Sequence, residues 1–134
     1  MLREIYANGS DLKMALSNYK ISIQPDYVLM ERPRDYEVVL SEQPEMLTNL
    51  SAVCKKANCR KVLIRGPKTS VSLSPLEIRD LGKEIAKLDL RIAVAESHDA
   101  SKDDVDFLEN VVWNRGRPIK FFDSELEAKY WLRM

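Results

Sequence analysis

Apolar and polar positions along the chain alternate in blocks that repeat one unit three times: an apolar strand, a polar stretch, then a helix opened by Ser-x-x-acid. The first unit is Lys61-Val62-Leu63-Ile64-Arg65 followed by Ser74-Pro75-Leu76-Glu77. The second is Arg91-Ile92-Ala93-Val94-Ala95 followed by Ser101-Lys102-Asp103-Asp104, and the third is Ile119-Lys120-Phe121-Phe122 followed by Ser124-Glu125-Leu126-Glu127. In each cap the serine hydroxyl can accept from a free backbone N–H, and the acid three residues on can reach back. Consecutive strand–helix units require crossover connections, so they predict a largely parallel sheet with packed helices.

The residues before these units add a different pattern. Lys20-Ile21-Ser22-Ile23-Gln24 alternates polar and apolar, and after a turn at Pro25-Asp26 comes a second apolar run, Tyr27-Val28-Leu29-Met30-Glu31. The two are spaced to pair as an antiparallel hairpin. Arg32-Pro33-Arg34-Asp35 breaks the chain, and Glu37-Val38-Val39-Leu40 is a short further run. Helical stripes follow: Leu47, Leu50, Cys54 and Ala57 over about 42–57, then Ile78, Leu81, Ile85 and Leu88. Val105, Leu108, Val111 and Val112 form the next, and Leu126, Ala128, Trp131 and Leu132 the last. Asn58 and Asn114-Arg115-Gly116 supply helix stops. The prediction is an α/β domain with a mixed, mainly parallel sheet of four or five strands, an antiparallel N-terminal hairpin and about four helices, over residues 19–134. Residues 1–18 read as an arm, mobile or in contact with another subunit, with a turn at Asn8-Gly9-Ser10-Asp11 and a short helix marked by Leu12, Ala15 and Leu16.

Charge and composition narrow the function classes. Twenty-one Lys and Arg balance twenty-one Asp and Glu in 134 residues, so no global field draws the chain to nucleic acid or anionic lipid. No apolar run approaches the roughly 20 residues of a membrane span. Met1-Leu2-Arg3-Glu4 lacks the apolar core of a signal peptide, and two cysteines without further ligands fit a reducing, cytoplasmic setting.

In open α/β sheets, sites form beyond the carboxyl ends of the parallel strands. The residues there are 66–73 and 96–100, read as loops. Arg65, Lys68, Thr69 and Ser70, with the N-terminus of the following helix, form a candidate anion site. Ser97 and His98, with Glu96 and Asp99 beside them, extend it; His98 is the single histidine and a candidate general base or pH sensor. A solvated turn whose serines only cap a helix accounts for the same residues. The phosphate-binding Gly-x-x-x-x-Gly-Lys-Ser/Thr pattern is absent. One His with Cys54 and Cys59 cannot build a closed metal site, so neither metal nor cofactor is expected. A phosphoacceptor receiver domain requires an aspartate where the strand Leu63-Ile64-Arg65-Gly66 ends, and an arginine stands there.

The strand order over residues 19–132, with the ending Phe121-Phe122-Asp123, Glu127-Ala128 and Trp131-Leu132, resembles the bacterial SpoIIAA-like family, of STAS or CRAL-TRIO-like fold. The resemblance implies a mixed sheet with helices mainly on one face. It also implies a non-enzymatic regulatory or protein-interaction module, acting on a partner protein or on its own copy as a homodimer. Anti-sigma antagonists of the STAS class carry an Asp-Ser-Ser-Gly-like phosphoserine motif at the start of the second helix. Here Ser70-Val71-Ser72-Leu73-Ser74-Pro75 stands there, without the aspartate or glycine, and Ser74 is the nearest match for a phosphorylation site.

Two other readings follow. A carrier of a small apolar or anionic ligand, as in lipid-binding relatives, should enclose a cavity of about 300 Å³ or more. An enzyme should hold His98 in a cleft within hydrogen-bond reach of another polar side chain. A partner module should show a filled core and an exposed apolar patch.

Overall fold

A computed structural model describes residues 4–7 and 11–16 as backbone strands and residues 19–134 in full. The strands are β1 (Glu4–Ala7), β2 (Asp11–Leu16), β3 (Tyr19–Ile23), β4 (Val28–Glu31), β5 (Tyr36–Val38), β6 (Lys61–Val71), β7 (Arg91–His98) and β8 (Ile119–Phe121). The helices are α1 (Gln43–Ala57), α2 (Pro75–Ala86), α3 (Lys102–Trp113) and α4 (Glu125–Arg133). The eight strands of the described residues form one mixed sheet in the order β1-β2-β3-β4-β6-β7-β8, with β5 pairing onto the far end of β6.

Strands β1 to β4 run antiparallel to their neighbours, and β4, β6, β7 and β8 are parallel. Because the parallel strands follow in chain order across the sheet, crossovers of the usual hand all lie on one side. Helices α1, α2 and α3 accordingly share one face, packed on Ile21, Met30, Val62, Ile64, Ile92 and Val94. The alternate residues Leu29, Leu63 and Ala93 point the other way, onto Ala128 and Leu132 of α4. This is strand alternation with a period of two, read in three dimensions.

The three serine caps form as their spacing predicts. Ser74, Ser101 and Ser124 each accept from the backbone N–H three residues on. At Ser74 the Glu77 carboxylate also accepts from the serine N–H at 2.9 Å, completing a reciprocal box.

Three expectations change. The sheet has more strands than the four or five predicted, because β1, β2 and β5 join it. The short helix expected from Leu12, Ala15 and Leu16 is instead β2, whose apolar residues Leu12, Met14 and Leu16 recur every second position and whose backbone pairs with β3. The expected turn at 8–10 and the mobility of the 1–18 arm lie outside the described residues. The stretches 66–73 and 96–100, expected as loops, are for the most part continuations of β6 to Val71 and β7 to His98. Pairing of Tyr36, Glu37 and Val38 with Thr69, Ser70 and Val71 holds them extended. Gly66-Pro67, a loop signal in the sequence, falls at the register shift between Gly66 and Thr69, where a residue without an N–H costs no ladder bond.

Packing of α2 on α3 depends on Gly82. A Cβ there would lie 2.7 Å from Val111 Cγ1 and 3.1 Å from Val111 Cβ, closer than packed carbons approach. Alanine is the better helix former by about 1 kcal/mol, yet overpacking of this kind costs about 1–3 kcal/mol. Gly82→Ala is therefore expected to destabilise, and Gly82→Ala with Val111→Ala to lose less than the sum of the two single changes in urea unfolding.

Candidate functional site

Beyond the apolar runs of β4, β6 and β7, charged residues replace apolar ones, and their faces sort them into two groups. Arg65 falls on the α4 side. Its guanidinium donates to Glu125 at 2.8 Å and to Glu31 at 3.2 Å, and Lys129 also reaches Glu125 at 3.2 Å. The Arg65 hydrogen bond, above all, holds the Glu125 carboxyl below its ordinary range. An NMR titration of Glu125 is expected to show this low midpoint, and Arg65→Met to raise it. The sign is that of a depressed acid: the pairing stabilises at neutral pH and its contribution fades as pH falls through the folded midpoint. All partners are more than a quarter exposed, so the effect on stability is small.

On the opposite face lies a group that is almost fully buried. Arg32, just past β4, donates from Nη1 to Glu96 Oε1 at 2.7 Å, with side chains 9% and 3% exposed. Thr69 Oγ1 donates to the other carboxylate oxygen at 3.0 Å, and the Arg32 guanidinium lies 4.8 Å from the centre of the Tyr36 ring. Gly66 makes room for this arrangement, since a Cβ there would stand 3.1 Å from both the Cβ and the carbonyl oxygen of Arg32. His98, opposite Thr69 in the ladder, sits edge-on to Phe121 with ring centres 5.8 Å apart. Its Nδ1 is buried without a hydrogen-bond partner, as is Nε of Arg32.

These residues close one end of an apolar cavity between the sheet and helices α1 to α3. It is walled by Ile64, Leu81, Val94, Leu108 and Phe121, among others, with Arg32, Glu96 and His98 at the polar end. Its volume is about 80 Å³, well short of the roughly 300 Å³ of small-molecule pockets.

Of the predicted anion-binding residues, Thr69 and His98 are brought opposite one another in the ladder, and the others do not join them. Arg65 is committed to two carboxylates on the α4 side, while Thr69 serves Glu96. Ser70 donates to Asp99 at 3.1 Å, and the same carboxylate accepts from the Val71 N–H at 2.7 Å; that backbone bond is the main reason the Asp99 carboxyl stays below its ordinary range. Lys68 and Ser97 are exposed, and strand alternation turns Ser97 away from Glu96 and His98. Ser74 is exposed at its helix cap. Sequence reasoning passed over Arg32 as part of a chain break and Glu96 as a mere neighbour of His98. A usable signal was present: a residue before proline is held extended, so Arg32 prolongs β4 and its charge sits at the strand end.

A second feature lies on the outer face of α4. With Ala128 and Leu132 packed against the sheet, Leu126, Tyr130 and Met134 face outward, 79%, 73% and 77% exposed. Leu126 and Tyr130 lie one turn apart on one face of the helix, and Met134 follows just past its end.

No family model matches the chain, and no curated protein is significantly similar to it. No described helix is long and apolar enough to cross a membrane, and no group of three or more His, Cys, Asp or Glu among the described residues could hold a metal ion.

Proposed function

We propose that this chain is a cytoplasmic, non-enzymatic regulatory module of the STAS/SpoIIAA-like type that binds a protein partner through the outer face of α4. The observation that carries this reading is the Leu126–Tyr130–Met134 stripe, three large apolar side chains left to solvent at i, i+4 and i+8. Apolar side chains one turn apart on an exposed helix face are what a helix lays into an apolar groove on another protein. The small cavity and otherwise filled core favour the same reading over a lipid carrier, and a His98 whose Nδ1 has no partner gives no support to general-base chemistry.

The test places a photo-crosslinking amino acid at position 130, with a control at exposed Lys102, in the chain's own host. A discrete adduct at 130 that is missing at 102 and is lost in Leu126→Asp is the expected result. Equal labelling at both positions would overturn the α4 assignment. Sedimentation of the purified protein then separates a foreign partner from a second copy of the chain.

Ser74 lies at the other end of the molecule's chemistry, as an exposed cap whose phosphorylation would place a dianion on free helix N–H groups. Under the switch reading, Ser74→Asp weakens the adduct at 130 while leaving the fold intact; an unchanged adduct removes Ser74 from the mechanism.

A second reading has its own observation. Arg32 Nε and His98 Nδ1 are both without partners on the wall of one cavity, and a compact ligand of a few heavy atoms with a hydrogen-bonding end would satisfy them. Chemical-shift changes confined to Arg32, Thr69 and His98 on adding short-chain carboxylic acids or alcohols would support it. Uniform or absent shifts would end it.

A further inference from the structure

The C-terminus of α1 brings together the two cysteines of the chain. Asn58 adopts the left-handed conformation at φ 50°, ψ 46°. The Asn58 N–H donates to the Lys55 carbonyl at 3.2 Å, and the Cys59 N–H reaches back to the Cys54 carbonyl at 3.0 Å. This six-to-one closure is the Schellman arrangement, in which the side chains of the two residues it joins ordinarily touch. Here both are cysteine, and both are free. Cys54 is buried in the main core and Cys59 packs against its edge. The two also line one surface pocket of about 280 Å³, together with Lys55, Arg60 and Asp89. A helix stop requires no thiol at either position, and an apolar pair would serve the packing as well.

We propose that Cys54 and Cys59 form a dithiol site that exchanges with small anionic disulfides and closes to an intrachain disulfide. The half-exposed Cys59 reacts first. Its thiolate attacks one sulfur of the small disulfide, breaking that S–S bond and releasing one small thiolate, which leaves a mixed disulfide on Cys59. The Cys54 thiol then gives up its proton to solvent and attacks the Cys59 sulfur. The second small thiolate leaves, takes up a proton, and the protein holds the new S–S bond. Two protein thiols are oxidised and one small disulfide is reduced to two thiols. Lys55 stands on the pocket wall beside Arg60, which pairs with Asp89 at 3.3 Å, and gives an anionic reagent a cation to approach. Burial pushes the Cys54 thiol up to about 12, which fits Cys54 as the resolving residue, never the first to react, and makes closure the slow step.

The experiment treats the folded full chain with oxidised glutathione and follows intact mass. The expected wild-type product is a monomer lighter by two hydrogens, preceded by a transient glutathione adduct. Cys54→Ser should stop at that adduct, and Cys59→Ser should react about tenfold more slowly or not at all. A wild-type protein that stays fully reduced, stops at the adduct or yields only covalent dimers overturns the proposal. Circular dichroism shows whether the serine variants are folded. Phenylarsine oxide supplies a second readout on the wild type alone, because only two adjacent thiols retain it through a wash with a monothiol. Loss of the arsenical in that wash also overturns the proposal.

Discussion

Replacing Glu96 with alanine is expected to destabilise the fold by about 3–5 kcal/mol, the usual consequence of removing one partner from a buried ion pair. The Arg32 guanidinium would keep its buried position over Tyr36 with no counter-charge, and the Thr69 hydroxyl, 1% exposed as a residue, would lose its acceptor. Both groups are held by the sheet: Arg32 lies close over Gly66, and Thr69 is laddered to Tyr36 and His98. Most of the loss therefore comes from the stranded partners, not from the worth of the pair itself. The double replacement Arg32→Met with Glu96→Leu is accordingly expected to recover much of it, since well-packed apolar substitutes for a buried pair are often neutral. Urea unfolding of the four proteins of this cycle gives the coupling directly. A Glu96→Ala midpoint within about 1 kcal/mol of wild type would mean that water reaches the pair.

Leu132→Ala is expected to cost about 2–5 kcal/mol, the range for deleting a buried leucine side chain, and to act first on α4. Leu132 is 1% exposed and belongs to the smaller of the two cores, whose other buried members are Leu29, Leu63, Ala93 and Ala128. Nine residues make a helix of roughly 13 Å, too short to persist without tertiary packing. The half-exposed Arg65–Glu125 pair adds little. Arg91 supplies a second anchor, stacked 3.8 Å from the centre of the Trp131 ring and donating to the Trp131 carbonyl at 2.8 Å, where a cation suits the helix C-terminus. Hydrogen exchange should therefore show protection lost at the α4 amides well before the amides of β6 and β7. Equal loss across the whole sheet would show that α4 and the main core unfold as one unit. If α4 is the partner-binding element, the same variant should also weaken the crosslink at position 130.

How much could be read from the chain alone differs between fold and site, for identifiable reasons. The Ser-x-x-acid caps at 74, 101 and 124 and the helical stripes are local signals, because the groups that satisfy them lie within four residues. The β3–β4 hairpin was legible for the same reason. The length of β6 was not: Gly66-Pro67-Lys68-Thr69-Ser70 carries the composition of a loop, and pairing with β5, some thirty residues earlier, and with β7, some thirty residues later, keeps it extended. Leu12, Met14 and Leu16 show that a six-residue run can fit two periods, and backbone pairing with β3 decided between them.

Residues close along the chain were enough for the order and type of the main elements and for their caps. The last helix departs from its reading: Ala128, Trp131 and Leu132 pack toward the sheet while Leu126, expected with them, is 79% exposed. Tertiary structure alone decided which charged residues meet. Arg65 and Glu96 both follow apolar strand segments, but strand alternation sends one toward Glu125 on α4 and the other toward Arg32 beneath α1 to α3. Residue pairs sixty or more positions apart are joined by sheet register, and register is fixed by the packing of the whole core, which no local pattern encodes.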